Sequence, residues 1–502
     1  MQKPISKMTR RGFAQIMTAG TAVAATARNP GIVKAMESDI AATPKAEADP
    51  ERPVYHFRPP ANWNNDPNGT IWYKGWHHLF YQHNPYDAKW GHMHWGHARS
   101  RDLVNWEHLP IALGPSLEKG EEHIYSGAAI LASDGRPRLI YTSIGKRDPE
   151  QWLASPADDE LIAWEKYTGN PILNLKIHGN RKISDWRDPF MFREGGKTYM
   201  VCGGNTNGRK ESGGGAVQLY ESEKPDLTAW KYRGQIFEYR DREVVNIECP
   251  NLFKLGSKWV LLISPHKPCE YFIGNLDLER AKFSPETHGV LDPGSSYASN
   301  ISYDEKGRCI LWLWGRTETN PEKGWNSCMA IPRILTIGNA GFLRQNPAPK
   351  FEALRGEPGI TESTELAEKP VALGSGISGD CLEIEAQLSA SAAASVSLRV
   401  RCAADGAGGT EISFNSKDGV LTAGKVKKLL GTGQPVRLRI FLDKRVMEIY
   451  ANDGDAAIFT TVDAAVNDTT IVAFARGGAG RLESLKAWPL KPARFSLDRF
   501  TI

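Results

Sequence analysis

The sequence predicts an all-β protein, in which a five-bladed β-propeller is followed by an antiparallel β-sandwich. Two observations lead to this fold class. Strand-like apolar segments recur at a nearly constant interval from about Val54 to Phe351, and short alternating strands fill most of the remainder. The composition agrees, because 15 Trp, 48 Gly and 31 Pro in 502 residues are typical of a turn-rich and aromatic-rich β protein.

The N-terminal segment does not read as part of a globular domain. Thr9 to Phe13 (TRRGF) precedes a mildly apolar run that ends in Ala25 to Ala27 (ATA), which is the order of a twin-arginine export signal with a small-residue cleavage site. A disordered basic tail is the alternative. We expect residues 1–27 to be a signal peptide, residues 28–50 to be a linker, and the mature protein to be periplasmic or secreted.

The apolar segments of the first part have a regular spacing. Their centres are separated by 60, 60, 61 and 50 residues and lie at Leu79, Leu139, Tyr199, Val260 and Ile310. Three of them are followed by a second shared feature, an Asp-Leu-x-x-Trp or similar segment that ends at Trp106, Trp164 or Trp230. A repeat of 40–60 residues made of short strands is typical of a propeller blade. We therefore predict the propeller over residues 51–351.

The pattern changes after the fifth repeat. Residues 352–372 are polar and predict a connector, and residues 373–502 contain alternating strands such as CLEIEAQL and RLRIFLD between Gly, Asp and Asn turns. This part predicts the β-sandwich. The seven cysteines show neither a disulfide framework nor a zinc pattern, although Cys381 and Cys402 could pair across strands.

Charge and hydropathy exclude several classes of partner. The 62 basic and 58 acidic residues are too balanced for a nucleic-acid-binding protein, and no stretch reaches the ~18 apolar residues of a membrane span. His92 and His94 alternate on a strand and could bind a metal, but no nearby acid pair or Cys completes the ligand set. We predict no metal and no cofactor. The sequence leaves the oligomeric state open.

Three carboxylates occupy nearly the same position in three repeats. Asp66 lies 13 residues before the first apolar centre, Asp188 lies 11 before the third, and Glu248 lies 12 before the fourth. Each alone could cap a turn. Equivalent positions on the inner strands of a propeller converge on its axis, so we expect the three to meet in one funnel. Repeats two and five place hydroxyl-bearing segments there, Tyr125 to Gly127 and Ser296 to Ala298.

Two carboxyl groups on either side of a bond suit glycoside hydrolysis. Backbone amides of the Pro-Asn-Gly turn should keep Asp66 ionised, as a nucleophile requires. An apolar strand and a neighbouring carboxylate should raise the pKa of Glu248, as a general acid requires. Arg187 should keep its neighbour Asp188 ionised, so that it can accept hydrogen bonds from sugar hydroxyls.

Aromatic side chains at strand ends can stack on the apolar face of a sugar. Trp63, Trp90 and Trp314 are the candidates for this role. For Trp95, a fourth strand-end indole, and for Trp106 and Trp164 in the repeats, we instead expect packing between blades.

The motifs resemble those of glycoside hydrolase family 32, the β-fructofuranosidases that include invertases, levanases and inulinases. Trp-x-Asn-Asp-Pro-Asn-Gly, Arg-Asp-Pro and Glu-Cys occur in the family's order and spacing. Other similar segments are FYQHNP, YSGAAI, GWNSCMAIPRIL and, in the C-terminal module, RIFLDKRVMEIYANDG. The resemblance spans about Val54 to Pro489.

This resemblance implies a retaining mechanism without a metal. Asp66 would be the nucleophile, Glu248 the acid/base and Asp188 the transition-state stabiliser, with about 5–5.5 Å between the first two carboxyl groups. The residues expected to contact the terminal fructosyl unit are Asn65, Gln82, Trp90, Ser126, Arg187 and Trp314. Trp63 and Tyr125 complete our candidate substrate-binding set.

Departures from the family pattern bear on substrate preference. Tyr125 stands where the family usually has Phe, Asn251 replaces a common Asp, and Asp292 to Ser299 lacks a common Asp-Phe pair. The predicted activity is exo-acting release of fructose from sucrose, levan or inulin. The alternatives are fructosyl transfer or a specialised linkage on the same fold, an arabinan-cleaving enzyme on a similar propeller, and a carbohydrate-binding protein without activity.

Overall fold

The computed structural model describes residues 30–208, 211–239, 241–374, 376–390, 394–432 and 435–500. The predicted signal peptide, residues 1–27, lies outside these ranges. The described chain is almost entirely β, as predicted, with one α-helix, α1 (Pro30–Glu47), and short 3-10 turns at Leu117–Lys119, Leu175–His178, Pro321–Lys323, Pro349–Leu354 and Asn452–Gly454.

Five antiparallel sheets follow one another between residues 62 and 347. Blade one contains β1 (Asn62–Tyr73), β2 (Trp76–Asn84), β3 (His94–Ser100) and β4 (Trp106–Leu113). Blade two contains β5 (His123–Leu131), β6 (Pro137–Ile144), β7 (Glu150–Pro156) and β8 (Trp164–Lys166). Blade three contains β9 (Ser184–Glu194), β10 (Lys197–Asn205), β11 (Gly215–Ser222) and β12 (Trp230–Glu238). Blade four contains β13 (Glu248–Leu255), β14 (Lys258–Ser264), β15 (Glu270–Asp277) and β16 (Lys282–Val290). The last segment contains β17 (Ser296–Tyr303), β18 (Cys309–Gly315), β19 (Trp325–Asn326), β20 (Cys328–Met329), β21 (Arg333–Ile337) and β22 (Leu343–Pro347).

The first strand of every blade faces the centre of the molecule. β1 contacts β5, β5 contacts β9, β9 contacts β13, β13 contacts β17, and β17 contacts β1. The five first strands therefore close a ring, and the sheets radiate from it as a propeller. The apolar centres found in the sequence are the second strands, which are buried on both faces and carry the core of each blade.

The sandwich consists of two sheets that pack an aliphatic core between them. Its strands are β23 (Gly359–Thr361), β24 (Thr364–Leu366), β25 (Val371–Ala372), β26 (Cys381–Ala390), β27 (Ser395–Cys402), β28 (Thr410–Asn415), β29 (Val420–Ala423), β30 (Val426–Leu429), β31 (Val436–Asp443), β32 (Val446–Ala451), β33 (Ala456–Thr461), β34 (Thr470–Arg476) and β35 (Gly480–Pro489). One sheet has the order β23-β35-β26-β31-β32-β33, with β24 also on β35, and the other has the order β25-β34-β27-β28-β29-β30. A final strand, β36 (Phe495–Ser496), lies outside both sheets.

Two domain limits differ from the prediction. The segment predicted as a connector, residues 352–372, contributes β23, β24 and β25 to the sandwich, because its backbone pairs with the edges left by β35 and β34. The chain end also leaves the sandwich: β36 pairs in parallel with β4 of blade one. In the same blade, β19 pairs in parallel with β1, so the last segment of the propeller contributes one strand to the sheet of blade one.

The predicted linker over residues 28–50 is wrong for most of its length. Residues 30–47 form α1, whose apolar side chains pack against blade one and the chain end in two small clusters. In the first cluster Met36 and Ala35 pack with Ile111 and Phe500. The segment looked like a linker because Ala, Lys, Glu and Pro dominate it, but Ala, Lys and Glu also favour helix, and the apolar residues fall on one face.

The seven cysteines are free thiols. Cys381 lies on β26 and Cys402 on β27, which belong to different sheets, so the possible pairing of these two is wrong. Within the described ranges, no helix is long and apolar enough to span a membrane.

A buried polar cluster joins the propeller to the sandwich. Arg333 of β21 donates from Nη2 to Asp292 (2.8 Å) and to Glu448 of β32 (2.9 Å). His56 places one ring nitrogen 2.9 Å from Asp443 and the other 3.1 Å from Glu448. All five side chains are fully buried, so the two domains form one continuous interior.

Candidate active site

The inner strands share an irregularity at one level of the ring. In each blade the pairing register between the first and second strands shifts, and the residues within the shifts are Asn65 and Asp66, Tyr125 and Ser126, Asp188 and Pro189, Cys249 and Pro250, and Ala298. A bulge of this kind re-aims side chains. The five shifts turn the polar segments predicted from the sequence toward one axial funnel.

Asp66 lies on β1 within a network of amides and hydroxyls. Its Oδ1 accepts a hydrogen bond from Asn65 Nδ2 (3.0 Å), and its Oδ2 accepts one from the hydroxyl of Ser126. Gln82 joins the two donors, because its Oε1 accepts from Asn65 (2.8 Å) and its Nε2 donates to Ser126 (2.7 Å). Trp63 Nε1 donates to Asn65 Oδ1 (2.7 Å). These contacts fix the orientation of both carboxylate oxygens.

Glu248 begins β13 and is held from three sides. Its Oε1 accepts a hydrogen bond from Arg187 Nη2 and lies 3.6 Å from His266 Nε2. Its Oε2 accepts a hydrogen bond of 2.7 Å from the hydroxyl of Tyr297. Asp188, which follows Arg187 on β9, lies farther from that guanidinium, with 3.9 Å between Asp188 Oδ2 and Arg187 Nε.

Cys249 shows that the three carboxylates meet. Its thiol lies 3.5 Å from Asp66 Oδ2 and 3.7 Å from Asp188 Oδ2, and its backbone N–H donates to Asp188 Oδ2 (2.9 Å). Glu248 is the preceding residue. Acids that lie 60 to 182 positions apart along the chain are therefore neighbours around one thiol.

A narrow cavity lies beside the carboxylates, between the inner strands. All five inner strands line it, through residues that include Asn68, Ser126, Asp188, Asn251 and Ser299. Its volume is about 10 Å³, which is room for roughly one water molecule. The five inner strands therefore come close together around the axis at this level.

The pKa directions differ from those predicted for all three acids. Burial raises the pKa of Asp66, although hydrogen bonds from Ser126 and Asn65 oppose it. Burial raises the pKa of Asp188 to about 7, against the charge of Arg187. Burial also acts on Glu248, but Arg187, His266 and the Tyr297 hydroxyl outweigh it and lower its pKa.

The reason for this reversal is the direction of one side chain. The sequence predicts that Arg187 keeps Asp188, its neighbour in sequence, ionised. In the structure its guanidinium instead reaches across to Glu248 on the next blade and donates a hydrogen bond to it. Since Arg187 pairs most closely with Glu248, burial is less compensated at Asp188 and Asp66, and the pKa values of both remain raised.

The aromatic candidates divide into two groups. Trp63 and Trp314 meet edge to face, with 5.8 Å between ring centroids, and Trp314 also lies 6.4 Å from Tyr297. Trp90, on the loop after β2, is 50% exposed and packs against Tyr125 at 6.2 Å. These rings line the mouth of the funnel.

The three tryptophans expected to pack between blades do so to different extents. Trp95 and Trp106 are buried, whereas Trp164 is partly exposed and meets Phe80 edge to face at 5.3 Å.

Some contributing residues were not among the predicted site residues. Cys249 lies within the register shift of blade four and Tyr297 directly precedes that of blade five, so the phase of the repeat could have selected both. Thr142 and His266 could not be found this way. Thr142 on β6 accepts a hydrogen bond from the N–H of Asp188 (2.9 Å), and His266 lies on the loop after β14.

The histidines of blade one take part in local contacts. His94 Nδ1 lies 2.5 Å from the carbonyl of His92, and His78 Nδ1 lies 3.0 Å from His97 Nε2. In the described part of the chain no three or more His, Cys, Asp or Glu side chains are grouped as metal ligands.

Family models match both domains. Residues 56–347 match the model described as "Glycosyl hydrolases family 32 N-terminal domain", and residues 350–489 match "Glycosyl hydrolases family 32 C terminal".

Known proteins are similar over most of the chain. The levanase of Bacillus subtilis is 30% identical, over 88% of this chain and 70% of the levanase. A sucrose-6-phosphate hydrolase of Zymomonas mobilis is also 30% identical, over 88% of this chain and 93% of that protein.

Solved structures share the fold. A β-fructofuranosidase of Bombyx mori superposes with a TM-score of 0.78 at 28% identity, covering 93% of this chain and 99% of that one. Fructan 1-exohydrolase IIa of Cichorium intybus superposes with a TM-score of 0.79 at 24% identity, covering 89% of this chain and 98% of that one.

Proposed function

Because the chain belongs to glycoside hydrolase family 32 and is an enzyme of the β-fructofuranosidase type, we propose that it is an exported, retaining exo-fructosidase. It would release terminal β-D-fructofuranosyl units from sucrose or from a fructan of the levan or inulin type. The observation that carries this proposal is the meeting of Asp66, Asp188 and Glu248 around Cys249, between the inner strands of the propeller.

Asp66 is the proposed nucleophile. Ser126 and Asn65 hold its two oxygens, so the carboxylate does not have to reorient before it attacks the anomeric carbon. The attack forms a fructosyl ester on Asp66 while the bond to the leaving oxygen breaks. Water then hydrolyses the ester and regenerates the free carboxylate.

Glu248 is the proposed acid/base. It donates a proton to the leaving oxygen in the first step and removes one from water in the second. In the ligand-free protein Arg187, His266 and the Tyr297 hydroxyl lower the pKa of Glu248, so Glu248 must gain a proton before the first step. Sugar that fills the funnel excludes water from these groups, which favours the neutral acid.

Asp188 is the proposed stabiliser of the transition state. The backbone N–H of Cys249 donates to Asp188 Oδ2, and the backbone N–H of Asp188 donates to the hydroxyl of Thr142. The Asp188 carboxylate is therefore fixed beside the other two. A carboxylate at this point can accept hydrogen bonds from ring hydroxyls, and these strengthen as positive charge develops on the sugar.

Substrate choice is proposed from relatives and from the mouth of the funnel. The Bacillus relative is a levanase, and a complex of the Bombyx enzyme variant holds sucrose. Asn65, Gln82 and Arg187 offer amide and guanidinium groups to sugar hydroxyls, and Trp63, Trp90 and Trp314 offer ring faces.

Export is a separate part of the proposal. It rests on the twin-arginine-type order of Arg10, Arg11 and Ala25 to Ala27. Cleavage after Ala27 would leave α1 intact in the mature protein. N-terminal sequencing of protein recovered from a periplasmic or culture fraction tests this part, and mature protein that begins upstream of Arg10 in the cytoplasm contradicts it.

The activity is tested with purified protein on sucrose, levan, inulin and an arabinan, with the released sugars followed over time. We expect free fructose from at least one fructan or from sucrose, and none in an Asp66→Ala variant. Sugar binding without release from any substrate indicates a binding protein instead. Fructosyl-oligosaccharides in place of free fructose indicate transfer.

A further inference from the structure

Helix α1 lies outside the region that matches the family, which begins at residue 56, yet it packs beside the strand that carries Asp66. It presents a fully buried carboxylate, Asp39, on its inner face. A buried carboxylate on an otherwise apolar helix face is costly unless it is paired, so its partners point to its role.

Each oxygen of Asp39 holds one residue of blade one. Oδ1 accepts a hydrogen bond from Asn62 Nδ2 (2.9 Å), and Oδ2 lies 2.5 Å from His83 Nε2. Asn62 begins β1 with φ 64°, a left-handed conformation that decides the direction in which the strand starts. Its amide also donates to the carbonyl of Pro85 (2.8 Å).

His83 also contacts Trp63, the residue that follows Asn62 on β1. Its Nδ1 lies 2.7 Å from the carbonyl oxygen of Trp63, which can only accept, so Nδ1 must carry a proton and donate it. Nε2 then faces Asp39 Oδ2 on the other side of the ring. Asp39 and the Trp63 carbonyl therefore hold the imidazole of His83 from both sides and fix the orientation of its ring.

Trp63 connects this pair to the site. The indole Nε1 donates to Asn65 Oδ1, and Asn65 Nδ2 donates to Asp66 Oδ1. A continuous series of hydrogen bonds therefore runs from the helix through His83 and Trp63 to Asp66.

We propose that Asp39 is a positioning residue for the nucleophile, acting through His83 and Trp63. The inference rests on the proposed function only for its kinetic consequence, because the hydrogen bonds exist whatever the substrate. It assigns a role in the reaction to a helix that the sequence predicts as a linker and that no matched family region includes.

The test compares Asp39→Leu with Asp39→Asn. Leucine removes both acceptors. Asparagine retains the series, because its oxygen can accept from Asn62 and its amide can donate to Nε2 of a neutral His83. We expect kcat to fall by about 10- to 100-fold in Asp39→Leu, since small misplacements of reacting groups have costs of this order, and to stay within about threefold of wild type in Asp39→Asn.

Met36→Ala is the matched control. Met36 is fully buried on the same helix, one turn before Asp39, and packs in an apolar cluster with Ala35, Ile111 and Phe500. We expect this variant to lower Tm while kcat per folded molecule stays unchanged. Equal losses of kcat in Met36→Ala and Asp39→Leu would mean that the helix only stabilises the fold, and would overturn the proposal.

A crystal structure of the Asp39→Leu variant gives a readout that does not need activity. We expect the distance between His83 Nδ1 and the Trp63 carbonyl to exceed 3.5 Å and the bond between Trp63 and Asn65 to be broken. Intact bonds in the variant, or broken bonds with unchanged kcat, overturn the proposal. If Asp39→Leu does not fold, Asp39→Ala replaces it, because its smaller side chain leaves room for water. A wild-type protein that releases no fructose contradicts the proposed function alone.

Discussion

Glu248 Oε1 accepts a hydrogen bond from Nη2 of Arg187, which belongs to the neighbouring blade and directly precedes Asp188. The guanidinium of Arg187 therefore lies closer to Glu248, the proposed acid/base, than to Asp188, its neighbour in sequence. Because charge-assisted hydrogen bonds are about twice as strong as neutral ones, this pair governs how protons are distributed among the three acids.

Removal of Arg187 should shift the pH dependence of the reaction. In Arg187→Leu, Glu248 loses the positive charge that lowers its pKa, so the acid keeps its proton to higher pH. We expect kcat/KM to fall by about 10²–10³-fold and the alkaline limb of its pH profile to move upward. A pH–rate profile of purified variant and wild type checks this. If the alkaline limb of the pH profile is not shifted in the variant, a group other than Glu248 controls that limb.

Asp188 should reduce the stability of the native protein at alkaline pH. Its pKa of about 7 lies above the value of an unfolded Asp, so the native state binds more protons between the two values and stability falls as pH rises through 7. Asp188→Asn removes this loss. We expect the variant to exceed wild type in Tm by at least about 2 °C at pH 8, and by less at pH 5.

Differential scanning calorimetry at the two pH values measures this difference. The same variant should lose most of its activity. A Tm difference that does not change between pH 5 and pH 8 would contradict the raised pKa of Asp188.

His56 should make the joint between propeller and sandwich sensitive to high pH. Hydrogen bonds and charges of Asp443 and Glu448 overcome burial and raise the pKa of His56 to about 9. The contribution to stability is complete below the unfolded value near 6.5 and is lost as pH rises through 9, by on the order of 3 kcal/mol. We expect Tm to fall between pH 7 and pH 9.5.

His56→Gln provides the control for this prediction. Its amide can still bond to the two carboxylates but does not titrate. The fall in Tm over the same pH interval should be clearly smaller in the variant, and an identical fall would assign the effect to other groups.

Trp90 should act on substrate binding and not on the chemical step. It is half exposed at the mouth of the funnel, and no contact joins it to the three acids. We expect Trp90→Ala to raise KM by about 10-fold, equivalent to ~1.4 kcal/mol of lost contact with sugar, with kcat and Tm nearly unchanged. Initial rates over a range of sucrose and levan concentrations measure this. A fall in kcat at constant KM would place Trp90 elsewhere in the mechanism.

Periodic information in the sequence was sufficient for the fold and for much of the site. The spacing of Leu79, Leu139 and Tyr199 predicted the blade repeat, and the shared phase of Asp66, Asp188 and Glu248 predicted their convergence. Both inferences succeed because successive repeats are related by rotation about the propeller axis, so residues at the same position of each repeat meet at that axis.

Contacts between different blades and domains could not be predicted in this way. The direction of Arg187 depends on the side chain opposite it on β13, and the pKa directions of the acids depend on that choice. The role of residues 30–47 depends on an apolar surface of blade one that forms only when the propeller closes. The strand near Phe495 pairs with β4, although nearly 400 residues separate them.

That last pairing has a consequence for biosynthesis. The residues around Phe495 are synthesised nearly 400 residues after β4, and until then the outer edge of the first blade has unpaired backbone groups. Nascent chains and products of premature termination would carry this open edge, which other strands can bind. The sheet of blade one is thus completed only after both the rest of the propeller and the sandwich have been synthesised.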